Sequence, residues 1–218
     1  MELMDAIEKR RTVRDYLDKP VPAEVIEKAL KAGLKAPSYN HLKQVYFTLV
    51  KDPALRLALT QTEDMKETVS EQTQQNLQSY EEIAREMYLD AIPKQKRMIL
   101  KAPEVLVVAY KPKTQVADSR RVVDLNCLAA VWCCIENILL SLAEDDVYGT
   151  TMVPSNTPAV KQVLNIPQEL EVATFITLGY KAPEAKIIPQ KAVDLGAVLF
   201  TDRWEQRAEG KDDHPEYL

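Results

Sequence analysis

Apolar residues recur along the chain with two periods, and the switches between them predict its elements. Residues 2–10 carry Leu3 and Ile7 one helical turn apart, with Met4 beside them, so a short amphipathic helix with these side chains inward is expected. "RRTVRDYLDKPVP" breaks the period. Pro20 and Pro22 forbid a helix interior there, although Pro22 suits the first turn of the helix that follows. In "AEVIEKALKAGLKA" (23–36), Val25, Ile26, Ala29, Leu30 and Gly33 fall at helical spacing, and Pro37 ends the run. "VYFTLVKD" (45–52) is β-rich and stops at Asp52-Pro53, ahead of a short helix, "PALRLALTQ".

Residues 62–101 are polar, glutamine-rich and charged, with Val69, Leu77, Ile83, Met87 and Met98 irregularly spaced. They predict one or two amphipathic helices broken at Ile92-Pro93. A solvated helical hairpin and a mobile lid both fit that pattern. "PEVLVVAYK" (103–111) is a continuous apolar run of strand length and reads as a central strand. "VVDLNCLAAVWCCIENILLSLAEDD" (122–146) is apolar nearly all round, which predicts a helix buried on most faces and capped by Gly149. A short helix, "TPAVKQVLN" (157–165), precedes a second core strand, "EVATFITLGY" (171–180). Beyond Lys181, Pro183, Pro189 and Pro215 predict an extended arm over 181–218. Helices with a few separated strands, and no regular βαβ alternation, indicate one α+β domain over 1–218.

Composition narrows the function. Twenty-eight basic against 33 acidic residues leave a net charge of −5, which argues against a nucleic-acid partner or an anionic membrane surface. The acidic N-terminus is no secretory signal, and the apolar stretch Leu128–Ala143 is interrupted by Glu136 and Asn137. It reads as a buried helix, not a membrane span. Cys127, Cys133 and Cys134 lie near or within it, and reduced core cysteines in a cytoplasmic protein are expected. The five glycines are too scattered for G-x-G-x-x-G or a Walker loop. His41 and His214 are far apart with no cysteine near, so neither a zinc site nor a serine-protease-like triad is indicated, and no metal is expected.

Cationic charge is nevertheless concentrated at Arg10, Arg11 and Arg14, within "RRTVR". Glu8, Asp15 and Asp18 are close enough in sequence to pair with these arginines as ordinary surface charge. Guanidinium forks beside the Thr12 hydroxyl are also the parts needed to hold a phosphate.

"RRTVRDYLDKPVPAEVIEKALKAGLKAPSYNHLKQVYFTLVKDPALR" as a whole resembles the N-terminal signature of the nitroreductase-like FMN flavoproteins. It has the R-R-[ST]-x-R run, a P-V-P opening a helix, A-P-S after that helix, and a strand closed by K-D-P. "YGTT" after a long hydrophobic helix, "LGY" closing a strand and Lys191 in the arm agree in position. The resemblance implies a nitroreductase-like fold: a central, mostly antiparallel sheet flanked by helices, in an intertwined homodimer with FMN at the subunit interface. It implies FMN contacts from Arg10, Arg11, Thr12 and Arg14 to the phosphate and ribityl chain, and from Pro37, Ser38, Tyr39 and Asn40 to the ring. Thr150 and Thr151 would lie near the ring across the pocket, and Lys191 would be a basic phosphate contact, with Gln190 standing where arginine is usual. Family chemistry uses NADH or NADPH as donor and reduces nitroaromatics, quinones and similar electron-poor small molecules. The flavin carries the redox step, so no certain catalytic side chain is required; Thr151 and His41 are candidates for tuning it.

The loop "APSYNHLKQVYF" departs from the commoner pattern: His41 replaces asparagine and Lys43-Gln44-Val45 replaces Gln-Pro-Trp. A histidine here is similar to the iodotyrosine deiodinase branch, although Val153 occupies the place of that branch's threonine. Candidates for its lid residues, Glu71, Tyr80 and Lys94, are loosely placed. A deiodinase-like flavoenzyme and a flavin carrier or sensor without robust turnover are therefore the alternatives. His41 reads equally as a structural loop residue, Tyr39 as interface filling, Trp132 with the cysteines as helix core or dimer seam, and Tyr80 and Tyr88 as packing or substrate contacts.

Overall fold

The computed structural model describes residues 2–204. His214, Pro215 and Gly210 lie outside them. The described chain divides into two units, one running to Ile187 and one beginning at Ile188.

The first unit contains, in chain order, α1 (Leu3–Lys9), α2 (Ala23–Gly33), β1 (Val45–Leu49), α3 (Pro53–Gln61), α4 (Glu71–Asn76) and α5 (Glu82–Ala91). There follow α6 (Gln95–Lys101), β2 (Glu104–Tyr110), α7 (Asn126–Glu144), β3 (Val147–Met152), α8 (Thr157–Leu164) and β4 (Glu171–Tyr180). The four strands form one sheet in the order β1-β2-β4-β3, and every neighbouring pair is antiparallel. The two core strands expected from the sequence, β2 and β4, are its central strands. Ala173 is an extra residue in β4, because Val108 pairs with Thr174 but Ala109 pairs with Val172.

Helices cover both faces, as the α+β reading requires. On one face, Leu106, Val108, Ile176 and Leu178 pack with Ile26 and Ala29 of α2 and Ile135 and Ile138 of α7. On the other, Val105, Val107 and Phe175 pack with Leu59 of α3, Ile99 of α6 and Val160 of α8. Gly33 lets α2 and α7 approach: a Cβ there would stand 2.6 Å from Ile138 Cγ1 and 3.0 Å from Cys134 Sγ. Asp52 caps α3 by accepting from the Ala54 amide at 2.8 Å, with Pro53 at its first position.

Three sequence expectations are corrected. In α1 only Ala6 is buried, whereas Leu3, Met4 and Ile7 are exposed; the amphipathic pattern is real but its apolar face has no cover within one chain. α7 buries one face only. Its other side and the turn leading into it expose Val122 (84%), Val123, Leu125, Trp132 and Cys133. The segment Val122–Glu144 is long and apolar enough to cross a membrane by length and composition, yet its inner face packs on the sheet and α2. Gly149 does not cap α7. Asp146, at φ 57°, takes the left-handed position after the helix, and Gly149 lies inside β3, where a Cβ would meet Leu178 Cδ2 at 2.8 Å.

Residues 62–101 split in character at the short turn Ile92–Lys94, where the sequence places its break. α6 buries Met98 and Ile99, while from α4 through α5 Leu77 alone is buried. The second unit has α9 (Leu195–Val198) and a stacked Phe200–Trp204 pair with centroids 4.5 Å apart.

Candidate functional site

The arginine segment runs along the end of the sheet. Thr12 forms an isolated parallel bridge with Gly149, and Tyr16 an antiparallel one with Lys181. The Val13 side chain is fully buried, and its carbonyl accepts from the Tyr16 hydroxyl at 2.6 Å and from the Thr150 hydroxyl. Burial pushes the Tyr16 phenol up to about 12, so it stays a neutral donor.

Among the described residues, Asp15 turns away from the neighbouring arginines, unlike in a bare surface cluster, and each arginine finds another partner. Arg10 Nε lies 3.0 Å from Glu136 of α7, and Arg11 Nη1 donates to the Arg10 carbonyl at 2.8 Å. Arg14 is 7% exposed and donates from Nη1 to Asp90 of α5 at 3.1 Å, while its buried Nε has no partner among the described residues. Asp15 instead receives Lys94 at 2.6 Å and Arg97. Lys94 also reaches Asp90 at 2.5 Å, so one ionic network ties the segment to α5 and α6. Desolvation alone would lower the Lys94 ammonium, but its hydrogen bonds to Asp15 and Asp90 outweigh that and raise it above its ordinary range.

The second group of expected residues lies on the loop after α2. A turn at Tyr39–His41 follows Ser38, with Asn40, His41 and Lys43 all in the left-handed region at φ 50°, 58° and 51°. Ser38 holds it: its carbonyl accepts from the His41 amide at 3.0 Å and its Oγ from the Lys43 amide at 3.2 Å. Left-handed histidine and lysine carry backbone strain of about 1 kcal/mol or more each. Pro37, Ser38 and Tyr39 line a pocket with Lys43, Lys111 and Cys127. Arg10, Arg11, Arg14, Thr150 and Thr151 are not among its lining residues, and neither are Asn40 and His41, which are exposed. Cys134 at its floor has its thiol raised to about 11 by burial, the behaviour of a core cysteine rather than a reactive one.

β3 brings the third group. Thr150 is buried with its hydroxyl committed to Val13, whereas Thr151 is half-buried opposite Ile176. The turn after β3 leaves Val153 exposed and is pinned by Glu63, whose carboxylate accepts from the Ser155 and Asn156 amides at 3.1 Å each. Lys191 and Gln190 belong to the second unit, ahead of α9. Among the described residues no cluster of three or more His, Cys, Asp or Glu could hold a metal. Sequence reasoning missed Asp90, Glu136 and Glu63. None sits in a local pattern that marks it, since each is defined by a partner far along the chain.

A model of the Nitroreductase family matches residues 7–180. The chain belongs to that family.

Among curated relatives of this nitroreductase-family chain, an iodotyrosine deiodinase of Nematostella vectensis is 25% identical over 189 residues, spanning 85% of this chain and 69% of the relative. Among solved structures, oxidized iodotyrosine deiodinase bound to FMN and 3-iodo-L-tyrosine superposes with a TM-score of 0.69 at 21% identity, covering 89% of this chain and 97% of that one. The NADPH:FMN oxidoreductase of Vibrio harveyi, complexed with NAD+, gives 0.67 at 17% identity, with 94% and 78% covered. At these identities the solved structures establish a nitroreductase-like fold for this family member.

Proposed function

We propose that this nitroreductase-family chain is an FMN-dependent oxidoreductase, working as a homodimer, that draws reducing equivalents from NADH or NADPH. The acceptor is an electron-poor small molecule such as a nitroaromatic or a quinone. The observation that carries the reading is Arg14: a buried guanidinium with an unpartnered Nε, in a segment that also presents Arg10, Arg11 and the exposed Thr12 hydroxyl. Cationic donors of this kind fit an anionic cofactor, and a phosphate monoester of charge near −2 is what they hold best.

Bound FMN supplies the hydride chemistry. Arg10 and Arg11 would neutralise the phosphate, and Arg14 and Thr12 would hold the chain between phosphate and ring. Pro37, Ser38, Tyr39 and Asn40 would bound the ring, and Thr151 would face it from β3. Loss of one charge-assisted hydrogen bond in such a set costs about 1.5–3 kcal/mol, or about 10- to 150-fold in affinity. The homodimer reading rests on the exposed apolar side chains of α1 (Leu3, Met4, Ile7) and of α7 and the turn before it (Trp132, Val122).

Reductive dehalogenation of a halogenated aromatic is the second reading. The Nematostella relative's name and His41 favour it. Val153 and the engagement of Lys94 by two carboxylates weigh on the other side.

An anaerobic visible spectrum tests both. The oxidoreductase reading expects a flavin band that bleaches with NADH or NADPH and returns on adding a nitroaromatic or quinone. A band that ignores both donors, bleaches with dithionite and returns with a halotyrosine moves the assignment to dehalogenation. A band that no acceptor restores indicates a carrier. Colourless protein that takes up no added FMN refutes all three.

A further inference from the structure

The Val13 carbonyl sits in the middle of the arginine segment, and three hydroxyls converge on it or on its donors. Tyr16 Oη lies 2.6 Å from the Val13 oxygen and 2.9 Å from Thr177 Oγ1. Thr150, directly opposite Thr177 in the β3–β4 ladder, donates to the same Val13 oxygen. The protons can be counted. Tyr16 has one, with two carbonyls in reach, Val13 at 2.6 Å and Thr177 at 2.9 Å; the shorter contact assigns it to Val13, which Thr150 also donates to, and leaves the Tyr16 oxygen able to accept from Thr177 Oγ1. Both lone pairs of that carbonyl are then filled. With the Val13 side chain fully buried and Thr12 bridged to Gly149, the peptide planes within the segment are fixed from the sheet side.

We propose that Thr150, with Tyr16 and Thr177 behind it, is a positioning residue for the phosphate-binding segment rather than a contact to the ring. This rests on the FMN reading above. The hydroxyl acts through Val13: it fixes the backbone from which Arg11, Thr12 and Arg14 project, so the cationic donors are arranged before the phosphate arrives. Part of the cofactor's affinity is thereby placed in a side chain that never touches it.

Thr150→Val keeps shape and removes the hydroxyl; Thr150→Ser keeps the hydroxyl and removes a methyl. FMN affinity is measured by quenching of flavin fluorescence, the phosphorus NMR resonance of bound FMN at saturation, and the melting temperature of flavin-free protein. Thr150→Val is expected to weaken FMN about two- to tenfold, the worth of one neutral hydrogen bond, and to move the phosphorus resonance. Thr150→Ser should stay near wild type in both. A Thr150→Val protein that melts earlier but binds FMN with unchanged affinity and resonance would show a merely structural threonine and overturn the proposal. Equal damage from Thr150→Ser would do the same, because the methyl would then be the active part. Should Thr150→Val fail to fold, Tyr16→Phe removes the other donor and carries the same expectations. Wild-type protein that shows no bound phosphorus resonance would sink the FMN reading itself, and that is measured first.

Discussion

Replacing Asp90 by Asn isolates what the ion pair between the arginine segment and α5 contributes. The Arg14 and Asp90 side chains are 7% and 6% exposed, and Nη1 and Oδ2 are 3.1 Å apart. At an effective dielectric constant of about 20, their attraction is about 5 kcal/mol, most of which desolvation offsets. Removing one charge is different, because it strands the other in the interior. Such half-broken pairs cost about 3–5 kcal/mol. The amide oxygen of Asn can still accept from Arg14, and Lys94 retains Asp15, so the lower end, about 3 kcal/mol, is expected. For a chain of this size that is a fall of about 6–12 °C in melting temperature. The assay is thermal unfolding of flavin-free protein by circular dichroism, at low salt and again at about 0.5 M. A buried pair is barely screened, so the gap between wild type and Asp90→Asn should survive the salt. Lys96→Gln, which breaks the solvent-exposed pair to Glu67, should leave the midpoint where it is. A midpoint for Asp90→Asn within about 1 °C of wild type, or a gap that salt abolishes, would refute the claim that this network is an interior one.

Two further outcomes follow from the same geometry. Tyr16, with its phenol raised by burial to about 12, stays protonated in the folded state while an unfolded chain releases that proton near pH 10. Stability is therefore intact below about pH 10 and falls between about 10 and 12, by up to about 1.4 kcal/mol per pH unit. Urea midpoints at pH 8, 10 and 11 should show this slope, reduced in Tyr16→Phe; Tyr110, raised the same way by burial, sustains the remainder. Trp132→Glu places a charge on the exposed apolar face of α7 and should convert a dimer into monomers of 24.7 kDa in sedimentation equilibrium. A wild-type protein that already sediments as a monomer would remove the homodimer.

Much of the fold was legible because β2 is a nearly continuous apolar run, β4 is dominated by apolar and β-branched residues, and α2 repeats its apolar positions at helical spacing. What periodicity could not say is which cover an apolar face meets. Leu3, Ile7 and Val122 satisfy the pattern of buried residues yet lie exposed in one chain, because an amphipathic pattern reports burial without naming the burying surface. Gly149 misled for a related reason: glycine serves a cap and a close approach equally well, and only the nearness of Leu178 decides. In the candidate site the arginines were readable as residue types. The Arg14–Asp90 pair, 76 positions apart, was not. Thr150 was singled out from the sequence, but its hydroxyl faces Val13, a backbone partner that no motif encodes.

The contrast between α5 and α6 sets an order of events in time. α6 is anchored by Met98 and Ile99, both essentially inaccessible, so its amides open only when the second face of the sheet does. α5 buries no apolar side chain and is held by the Arg14 ion pair only in its last turn, at Asp90, so the backbone ahead of that turn, with little apolar cover, opens at a lower free energy than α6. Deuterium would therefore enter the amides before Ala91 long before those after Gln95, a step in exchange rate across the three residues Ile92–Lys94. The chain thus carries a fast clock and a slow one on either side of Pro93.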